Sequence, residues 1–367
     1  MTTLGVAVPT KETTSEAMKE VLSEIEVWKA RGDRIALATV IDVQRSAPRP
    51  PGAKMAVNEH GEIAGSVSGG CVEGAVAEIA DGVLKGDPPQ LVHFGIADSD
   101  AWDVGLPCGG EIDVWVQAYE PGRFEEIARS GGRAAEVTVL DGAAPGAKLL
   151  VEPDGSQSGS LGAPELDDEA ARLAVEQLWA ETSERRDGLF IDVVAPPPRL
   201  IVFGAVDIAA SLCTLARAAG WRPYVIDPRA RFATPDRFPD AEQVIAAWPE
   251  EAVAQLGGVD PATSIVVLTH DPKLDDAALL LSLSSPARFI GAMGSRRAQA
   301  KRRERLLELG LGEDELERIS APVGLDLGAI SREETALSIL AEIVAARHGR
   351  DGGRLAESKG RIHEVPA

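Results

Sequence analysis

The sequence predicts an α/β protein: an N-terminal α+β domain that contains an internal duplication, followed by a doubly wound domain with a parallel sheet. Three features predict this fold class. A segment at residues 51–67 recurs at 145–161, a proline-rich linker lies near residue 196, and short apolar strands alternate with helices after the linker. The repeat, the boundary and the alternation together divide the chain into two dissimilar domains.

Composition and charge limit the classes of partner. The 367 residues are 44% hydrophobic and 26% charged, as in an ordinary globular protein, and the net charge is −21. This charge argues against a nucleic-acid partner or an anionic membrane, because phosphate contacts need a basic surface. Three scattered cysteines suit a reducing compartment, no pair has metal-site spacing, and no leader or membrane-spanning run is present. We therefore expect a cytoplasmic protein without a structural metal.

The first domain is predicted to cover residues 1–195. A short polar arm precedes a helix at about 16–31, whose apolar residues recur at helical spacing. Prolines at 46–54 forbid both a helix and a central strand, so that segment is predicted to be a stiff loop. The predicted strands are residues 35–43, 55–58, 91–96 and 111–117.

The motif Pro-Gly-Ala-Lys begins both copies of the repeat, and residues 51–67 align with 145–161 without gaps. Flanking segments are also alike: 38–42 resembles 137–141, and 111–114 resembles 190–193. We infer a duplication with halves at about 16–120 and 121–195. We also expect strands from both halves to share one sheet.

The glycine-rich segment 65–74 holds the main candidate for chemistry. Gly69 and Gly70 permit positive φ and a close approach of ligand to backbone. Free N–H groups at the start of the following helix would favour anions and a partly thiolate Cys71. The alternative is a small buried cysteine in a tight turn. Because the second copy has Glu165 where the first has Cys71, a requirement of the fold does not explain the cysteine, and the functional interpretation is favoured.

The other two cysteines differ in their surroundings. Cys108 and Gly109 lie in a second glycine-flanked segment at 105–110, and Cys108 is expected to flank one cleft with Cys71. Cys213 lies within a helical apolar pattern and is expected to belong to the core.

The second domain is predicted at residues 199–348, after the linker at 195–198, with a flexible tail at 349–367. Alternation of strands and helices predicts a Rossmann-like, doubly wound parallel sheet. Its predicted strands are residues 200–203, 224–227, 243–245, 264–269 and 287–290, and a helix at 332–347 closes the domain.

Two turns of this domain are candidate ligand sites. Gly204 follows the first strand and Asp227 ends the second, as in dinucleotide sites. However, Val206 replaces the second glycine and Asp207 adds negative charge, so NAD(P) binding is disfavoured there. At the other turn, a strand leads through 291–295 into a basic helix.

Gly294, Ser295, Arg296 and Arg297 predict a phosphate cradle at the start of that basic helix, because backbone N–H groups and guanidinium groups both bind phosphate. The alternative is a solvated basic helix face. His270 ends a strand at the same edge of the sheet and is either a site residue or an ordinary strand-end histidine.

Several segments together resemble the xanthine dehydrogenase accessory proteins, the XdhC/CoxI family of molybdenum cofactor chaperones. The matching segments are residues 51–54, 65–73, 105–110, 203–204, 268–271, 290–297 and 324–329. The resemblance implies binding of molybdenum cofactor, either molybdopterin or its cytosine dinucleotide form. It also implies support of cofactor sulfuration with a cysteine desulfurase, and delivery to an apo molybdenum hydroxylase.

The candidate site residues come from the motifs described above together with what the resemblance implies. Cys71 would act chemically beside the labile sulfido ligand. The cofactor-binding candidates are Gly69, Gly70, Glu73, Cys108, Gly109, Gly204, Asp227, His270, Gly294, Ser295, Arg296 and Arg297. The family pattern normally has glycine and then histidine where this chain has Val206 and Asp207. An accessory protein is favoured over a stand-alone enzyme. An NAD(P)-dependent oxidoreductase with Cys71 in its active site, a purely structural adaptor and a homodimeric state stay open.

Overall fold

The structure is a computed structural model that describes residues 14–45, 48–95 and 110–357, with side chains from residue 18 onward. The chain forms two compact units, and it passes from unit 1 to unit 2 between Pro196 and Pro197. None of the helices in the described ranges combines the length and the hydrophobicity of a membrane-spanning segment.

Unit 1 contains two copies of one series of elements: helix, three strands, helix, two strands. The first copy comprises α1 (Thr14–Arg31), β1 (Ile35–Gln44), β2 (Lys54–Asn58), β3 (Ile63–Gly65), α2 (Glu73–Leu84), β4 (Gln90–Phe94) and β5 (Glu111–Ala118). The second comprises α3 (Arg123–Ser130), β6 (Ala134–Val139), β7 (Lys148–Val151), β8 (Gln157–Gly159), α4 (Pro164–Ala180), β9 (Glu184–Arg186) and β10 (Leu189–Val194).

The two copies have the same sheet topology. The strand orders are β3-β2-β1-β5-β4 and β8-β7-β6-β10-β9, with antiparallel neighbours throughout, so the predicted duplication is confirmed. The expectation of one shared sheet is wrong: within the described residues each half forms its own five-stranded sheet. The edge strands β3, β8 and β9 have only three residues each, and such short edges offer few backbone groups to another sheet.

Apolar side chains join the two halves of unit 1. Apolar residues of both halves form a common core, which includes Ile41, Trp115, Leu140 and Phe190. Helix α2 covers the first sheet and α4 covers the second. The halves therefore associate by burial of apolar surface, the main favourable term in packing sheets together.

The two repeated lysines lie in the polar part of this interior. Lys54 is buried and its Nζ pairs with Asp192 of the other half. Its copy, Lys148, pairs instead with Glu136 of its own half at 2.7 Å. Burial alone would lower the pKa of Lys148, but Glu136 outweighs that effect and raises it. A buried lysine needs such an acidic partner, because an unpaired buried charge is costly.

Unit 2 alternates strands and helices. Its elements are β11 (Arg199–Phe203), α5 (Asp207–Ala218), β12 (Arg222–Ile226), β13 (Gln243–Ile245), α6 (Pro249–Gln255), β14 (Ser264–Val267), α7 (Pro272–Leu283), β15 (Phe289–Ala292), α8 (Arg296–Glu308), α9 (Glu313–Leu316), β16 (Ile319–Ser320) and α10 (Arg332–Arg347).

The sheet of unit 2 has the order β13-β12-β11-β14-β15-β16, and all neighbouring strands are parallel. Helices α5 and α10 pack on one face, while α6, α7 and α8 pack on the other. The predicted Rossmann-like doubly wound sheet is confirmed. Its strand order reverses between β11 and β14, and ligands of such sheets bind in the crevice at the carboxyl ends of the strands at this point.

Cys213 of α5 lies in the core between α5 and the sheet, as predicted from its apolar surroundings. Its side chain has no exposed surface, and burial raises the pKa of the thiol to about 12. A thiol with this pKa stays protonated and unreactive near neutral pH.

Candidate functional site

The loop that carries Cys71 is folded around the carboxylate of Glu73, the first residue of α2. Six donors bind its two oxygens: the hydroxyls of Ser66 and Ser68 and the N–H groups of Val67, Ser68, Gly70 and Val72, at 2.6–3.2 Å. Burial opposes ionisation of Glu73, but the hydrogen bonds from Ser66 and Ser68 outweigh it and lower the pKa to about 2. The carboxylate is therefore the anion around which the loop is built.

The second copy uses the same device. Pro51 and Pro145 are 94 residues apart, and the same separation leads from Glu73 to Asp167. Asp167 accepts hydrogen bonds from the Ser160 hydroxyl at 2.8 Å and the Leu161 N–H at 2.6 Å. A carboxylate kept in both copies serves the turn between strand and helix. This points to a positioning role for Glu73, and extending the internal alignment by six residues would have revealed it.

The backbone N–H groups of the Cys71 loop are occupied, contrary to the expectation that they are free for an anion. Gly69 donates to Ser66 Oγ at 2.8 Å, Gly70 to Glu73, and Cys71 to Ser68 Oγ at 2.9 Å. Glu73 thus satisfies locally the donors that an external anion would need. Helix α2 also begins at Glu73, two residues beyond Cys71.

The glycines before Cys71 are required by backbone conformation. Gly69 and Gly70 have φ of 79° and 113°, which L side chains rarely adopt. A Cβ on Gly70 would meet nothing within 4 Å, so space above this peptide is open to a ligand. Cys71 is half-buried and packs partly against the apolar core of the first half. Its chemical role stays a prediction, and Cys108 and Gly109 lie outside the described residues.

In unit 2, the turns after β11 and β14 lie in close contact at Gly204. Its φ is 113°, and a Cβ there would lie 3.0 Å from the backbone nitrogen of Thr269. Glycine is thus needed because the backbone of the neighbouring segment passes close by. The structure brings Gly204 next to the segment that ends in the exposed His270, at the point where strand order reverses.

Asp227 is fully buried and its carboxylate is occupied. It accepts hydrogen bonds from the N–H of Ala205 at 2.9 Å and from Arg229, through its backbone N–H, Nε and Nη2, at 2.7–2.9 Å. Burial opposes ionisation, but these bonds lower the pKa of Asp227. No surface is left for a ribose hydroxyl, so any effect of Asp227 on a ligand passes through Arg229 and the turn.

The Gly204 turn has few donors for a pyrophosphate. The N–H of Gly204 donates to Ile226 O at 2.8 Å, that of Ala205 to Asp227, and that of Val206 to Gly204 O at 2.9 Å. Asp207, the first residue of α5, places a carboxylate beside the turn, where it pairs with Arg237 at 3.0 Å. These contacts weaken the case for an NAD(P)-dependent oxidoreductase.

The turn after β15 has the geometry of an anion site. Gly294 has φ of 140°, and Ser295 caps α8 by accepting the N–H of Ala298 at 3.2 Å. Arg296 and Arg297 are exposed and have no hydrogen-bond or ion-pair partner within the described residues. The first N–H groups of a helix also lack partners within it, so two kinds of donor face solvent here. A phosphate fits this donor set.

Arg302 supports the turn from within, a role that could not be predicted from the sequence. It is buried, and its Nη2 donates to the Met293 carbonyl at 3.0 Å and to Asp275 at 2.6 Å. Burial raises the pKa of Asp275, and Arg302 opposes that shift. Arg303 and Arg305 of the same helix pair with Glu313 and Asp276. The basic helix therefore contains two kinds of arginine. Arg302, Arg303 and Arg305 pair with acidic groups of the chain, whereas Arg296 and Arg297 have no partner within the described residues, and their role in binding phosphate stays a prediction.

One surface cluster has the spacing of metal ligands. Donor atoms of Asp33, Glu59 and His60 lie within 4.8 Å of one another. Arg31 and Arg34 already pair with the two carboxylates, each at 2.9 Å. Because these arginines supply the positive charge, the cluster does not indicate a metal site.

Comparisons with known proteins match both units. The family model described as XdhC Rossmann domain matches residues 200–343, and the model of the XdhC and CoxI family matches residues 28–95 and 127–187. The latter two segments fall in the two halves of unit 1.

Two relatives and one solved structure cover most of the chain. A probable xanthine dehydrogenase subunit of Bacillus subtilis (strain 168) is 30% identical over 323 residues, which is 86% of this chain and 94% of the relative. The "Molybdenum cofactor insertion chaperone PaoD" of Escherichia coli (strain K12) is 27% identical over 317 residues, 86% of this chain and 84% of the relative. A crystal structure of a xanthine dehydrogenase from Bacillus halodurans is similar with a TM-score of 0.61 and 25% identity, covering 95% of this chain and 98% of that one.

Proposed function

Because this chain belongs to the XdhC and CoxI family, we propose that it binds molybdenum cofactor and inserts it into an apo molybdenum hydroxylase of the xanthine dehydrogenase type. The name of the E. coli relative, a cofactor insertion chaperone, supports this role. The observation that carries the proposal is the pair Arg296 and Arg297. They lack partners within the described residues, at the ligand-binding edge of a Rossmann-like sheet, in a chain with a net charge of −21.

The cofactor's phosphate would bind at the turn after β15. The N–H groups at the start of α8 and the guanidinium groups of Arg296 and Arg297 would donate charge-assisted hydrogen bonds to it. Gly294 allows the backbone conformation, and Arg302 holds the carbonyl of Met293 from beneath. A rigid support of this kind keeps donors in place before the ligand arrives, which lowers the entropic cost of binding.

In unit 1, considered by itself, Cys71 is the candidate residue for the sulfur chemistry. A terminal sulfido ligand is labile, and a thiol is a soft neighbour that suits it. Glu73 keeps the loop in one conformation, so that the Cys71 side chain and the open face above Gly70 are held together. We include support of sulfuration in the proposal, with a cysteine desulfurase as the sulfur source, in the cytoplasm. A homodimer is also included, and light scattering during size-exclusion chromatography tests it.

The test is to purify the chain from a host that makes the cofactor and to measure bound molybdenum and pterin. The loaded protein is then mixed with cofactor-free hydroxylase, and enzyme activity is followed with time. We expect about one pterin per bound molybdenum and activation of the hydroxylase. A protein that carries no pterin under these conditions, and that does not increase activation above free cofactor, would refute the proposal.

A further inference from the structure

Three guanidinium groups surround one aromatic ring after β12. Those of Arg229, Arg231 and Arg237 lie 4.8, 5.1 and 5.8 Å from the ring centroid of Phe232. Cation–π contacts favour each arrangement singly, but three like charges at such short range repel one another. A cluster of this kind needs compensating negative charge.

Two of the three arginines have that compensation. Arg229 pairs with the buried Asp227 at 2.7 Å, and Arg237 pairs with Asp207 at 3.0 Å. Arg231 is exposed and has neither a hydrogen bond nor an ion pair within the described part of the chain. Within the described residues, the positive charge of Arg231 therefore has no acidic partner.

Hydrogen bonds tie the cluster to the ligand-binding edge of the sheet. Arg237 donates to the carbonyl of Ala205 in the Gly204 turn at 3.0 Å, and to the carbonyl of Phe232 at 2.9 Å. The cluster follows the carboxyl end of β12, which pairs with β11 beside the point where strand order reverses. The ring and its arginines thus stand on the β12 side of the crevice.

The unpaired arginines of unit 2 share this location. Among the arginines that the structure describes there, those without a hydrogen bond or ion pair are Arg231, Arg296 and Arg297. Arg231 follows β12 and the other two follow β15, so they flank β11 and β14 from opposite sides. Strands β12 and β15 are three strand spacings apart, about 14 Å. The long arginine side chains extend from either side, so the distance between their guanidinium groups is shorter than this. In so acidic a chain, unpaired arginines on both sides of one crevice concentrate positive potential there.

We propose that Arg231, supported by Arg229 and Arg237, is a second phosphate-binding subsite, and that unit 2 takes a ligand with a pyrophosphate. Arg231 would hold one phosphate while Arg296 and Arg297 hold the other. This inference rests on the proposed function in one respect: it selects the dinucleotide form of the cofactor over the form with a single phosphate. The arrangement of the arginines by itself indicates a ligand with two phosphate groups, and a nucleoside diphosphate is the probe of that class used below.

Calorimetric titration of the full chain with cytidine 5′-diphosphate and cytidine 5′-monophosphate tests this subsite. We expect the parent to prefer the diphosphate by about tenfold or more, as a second charge-assisted contact would give. Arg231→Gln should remove that preference and leave monophosphate affinity within about twofold. Unchanged diphosphate affinity in Arg231→Gln, or equal losses for both nucleotides, would overturn the proposal.

Arg172→Gln is the matched control, because Arg172 of α4 is also exposed and without a partner in the described residues. It removes the same charge from unit 1 and should leave both affinities unchanged. If Arg172→Gln loses as much diphosphate affinity as Arg231→Gln, the loss reflects net charge alone, and this result would contradict the subsite.

The proposed function is tested separately, by pterin content and hydroxylase activation. If the chain prefers the diphosphate through Arg231 but carries no pterin, the phosphate subsite is supported and the chaperone role is refuted. If the chain carries both cofactor forms equally well, the chaperone role is supported and the proposed selection of the dinucleotide form is refuted.

Discussion

Replacing Glu73 with glutamine tests whether this carboxylate organises the Cys71 loop. Glu73→Gln keeps the size of the side chain but removes its charge and turns one acceptor oxygen into an NH₂ donor. Six donors face the carboxylate in the native loop, so the new NH₂ group faces other donors. We expect a lower free energy of unfolding at neutral pH, because donors that lose their acceptor are costly.

The pKa shift gives the size of the effect. The pKa of Glu73 falls from its usual 4.5 to about 2 in the folded chain. At about 1.4 kcal/mol per pKa unit, this corresponds to about 3 kcal/mol, and solvent screening of the partly exposed group reduces it to about 2 kcal/mol. A lowered folded-state pKa stabilises the fold above the unfolded value. The contribution is therefore complete above about pH 5 and is lost as pH falls from 4.5 towards 2.

The assay is urea unfolding of parent and variant at several pH values between 3 and 7. The difference in free energy of unfolding should be largest at pH 7 and should shrink below pH 4.5. Asp167→Asn is the internal control: its carboxylate accepts two hydrogen bonds from its own turn, so a smaller loss is expected. A Glu73→Gln variant as stable as the parent at pH 7, or a difference independent of pH, would refute this reasoning.

Three further predictions concern the Cys71 loop, the turn after β15 and the Gly204 turn. Cys71→Ser should melt at the parent temperature yet fail to activate the hydroxylase; normal activation would remove the cysteine from the mechanism. Changing Arg296 and Arg297 together to glutamine should weaken cofactor binding by more than about tenfold, with a smaller salt dependence, in titrations at two salt concentrations. Unchanged affinity would exclude this phosphate cradle. Gly204→Ala should lower the free energy of unfolding by about 1–3 kcal/mol, because φ is positive and Thr269 leaves no space. A loss below about 0.5 kcal/mol in urea unfolding would contradict this explanation.

The internal repeat was the most informative feature of the sequence. Comparing its copies singled out Cys71, because the second copy has Glu165 at the same place. The same comparison, continued to Glu73 and Asp167, separates a residue of possible chemistry from a residue of architecture. The difference between the copies at Cys71 indicates a role other than folding, whereas the carboxylate present in both copies at Glu73 indicates a role in the turn. The two residues are only two positions apart.

The sequence by itself predicted the alternation of elements in unit 2 and the duplication in unit 1, although it did not predict α9 or β16. Apolar periodicity predicted the alternating strands and helices of unit 2, and the gapless repeat predicted the duplication of unit 1. Both signals are local or linear: they depend on which residues recur along the chain, and neither needs knowledge of distant contacts. For the same reason the sequence located two candidate ligand sites in unit 2, which are the Gly204 turn with Asp227 and the turn after β15.

Tertiary structure alone decided which charged groups of those turns have a partner among the described residues. Arg296, Arg297 and Arg302 belong to one basic run of sequence. Arg302 nevertheless forms an ion pair with Asp275, which is 27 residues away in the chain. Lys54 forms an ion pair with Asp192, which is 138 residues away in the chain. The sequence position of Asp227 is typical of a ribose ligand, but burial and Arg229 occupy its carboxylate. An ion pair depends on elements that meet only in the folded chain, so no pattern along the sequence distinguishes a paired arginine from one left for a ligand.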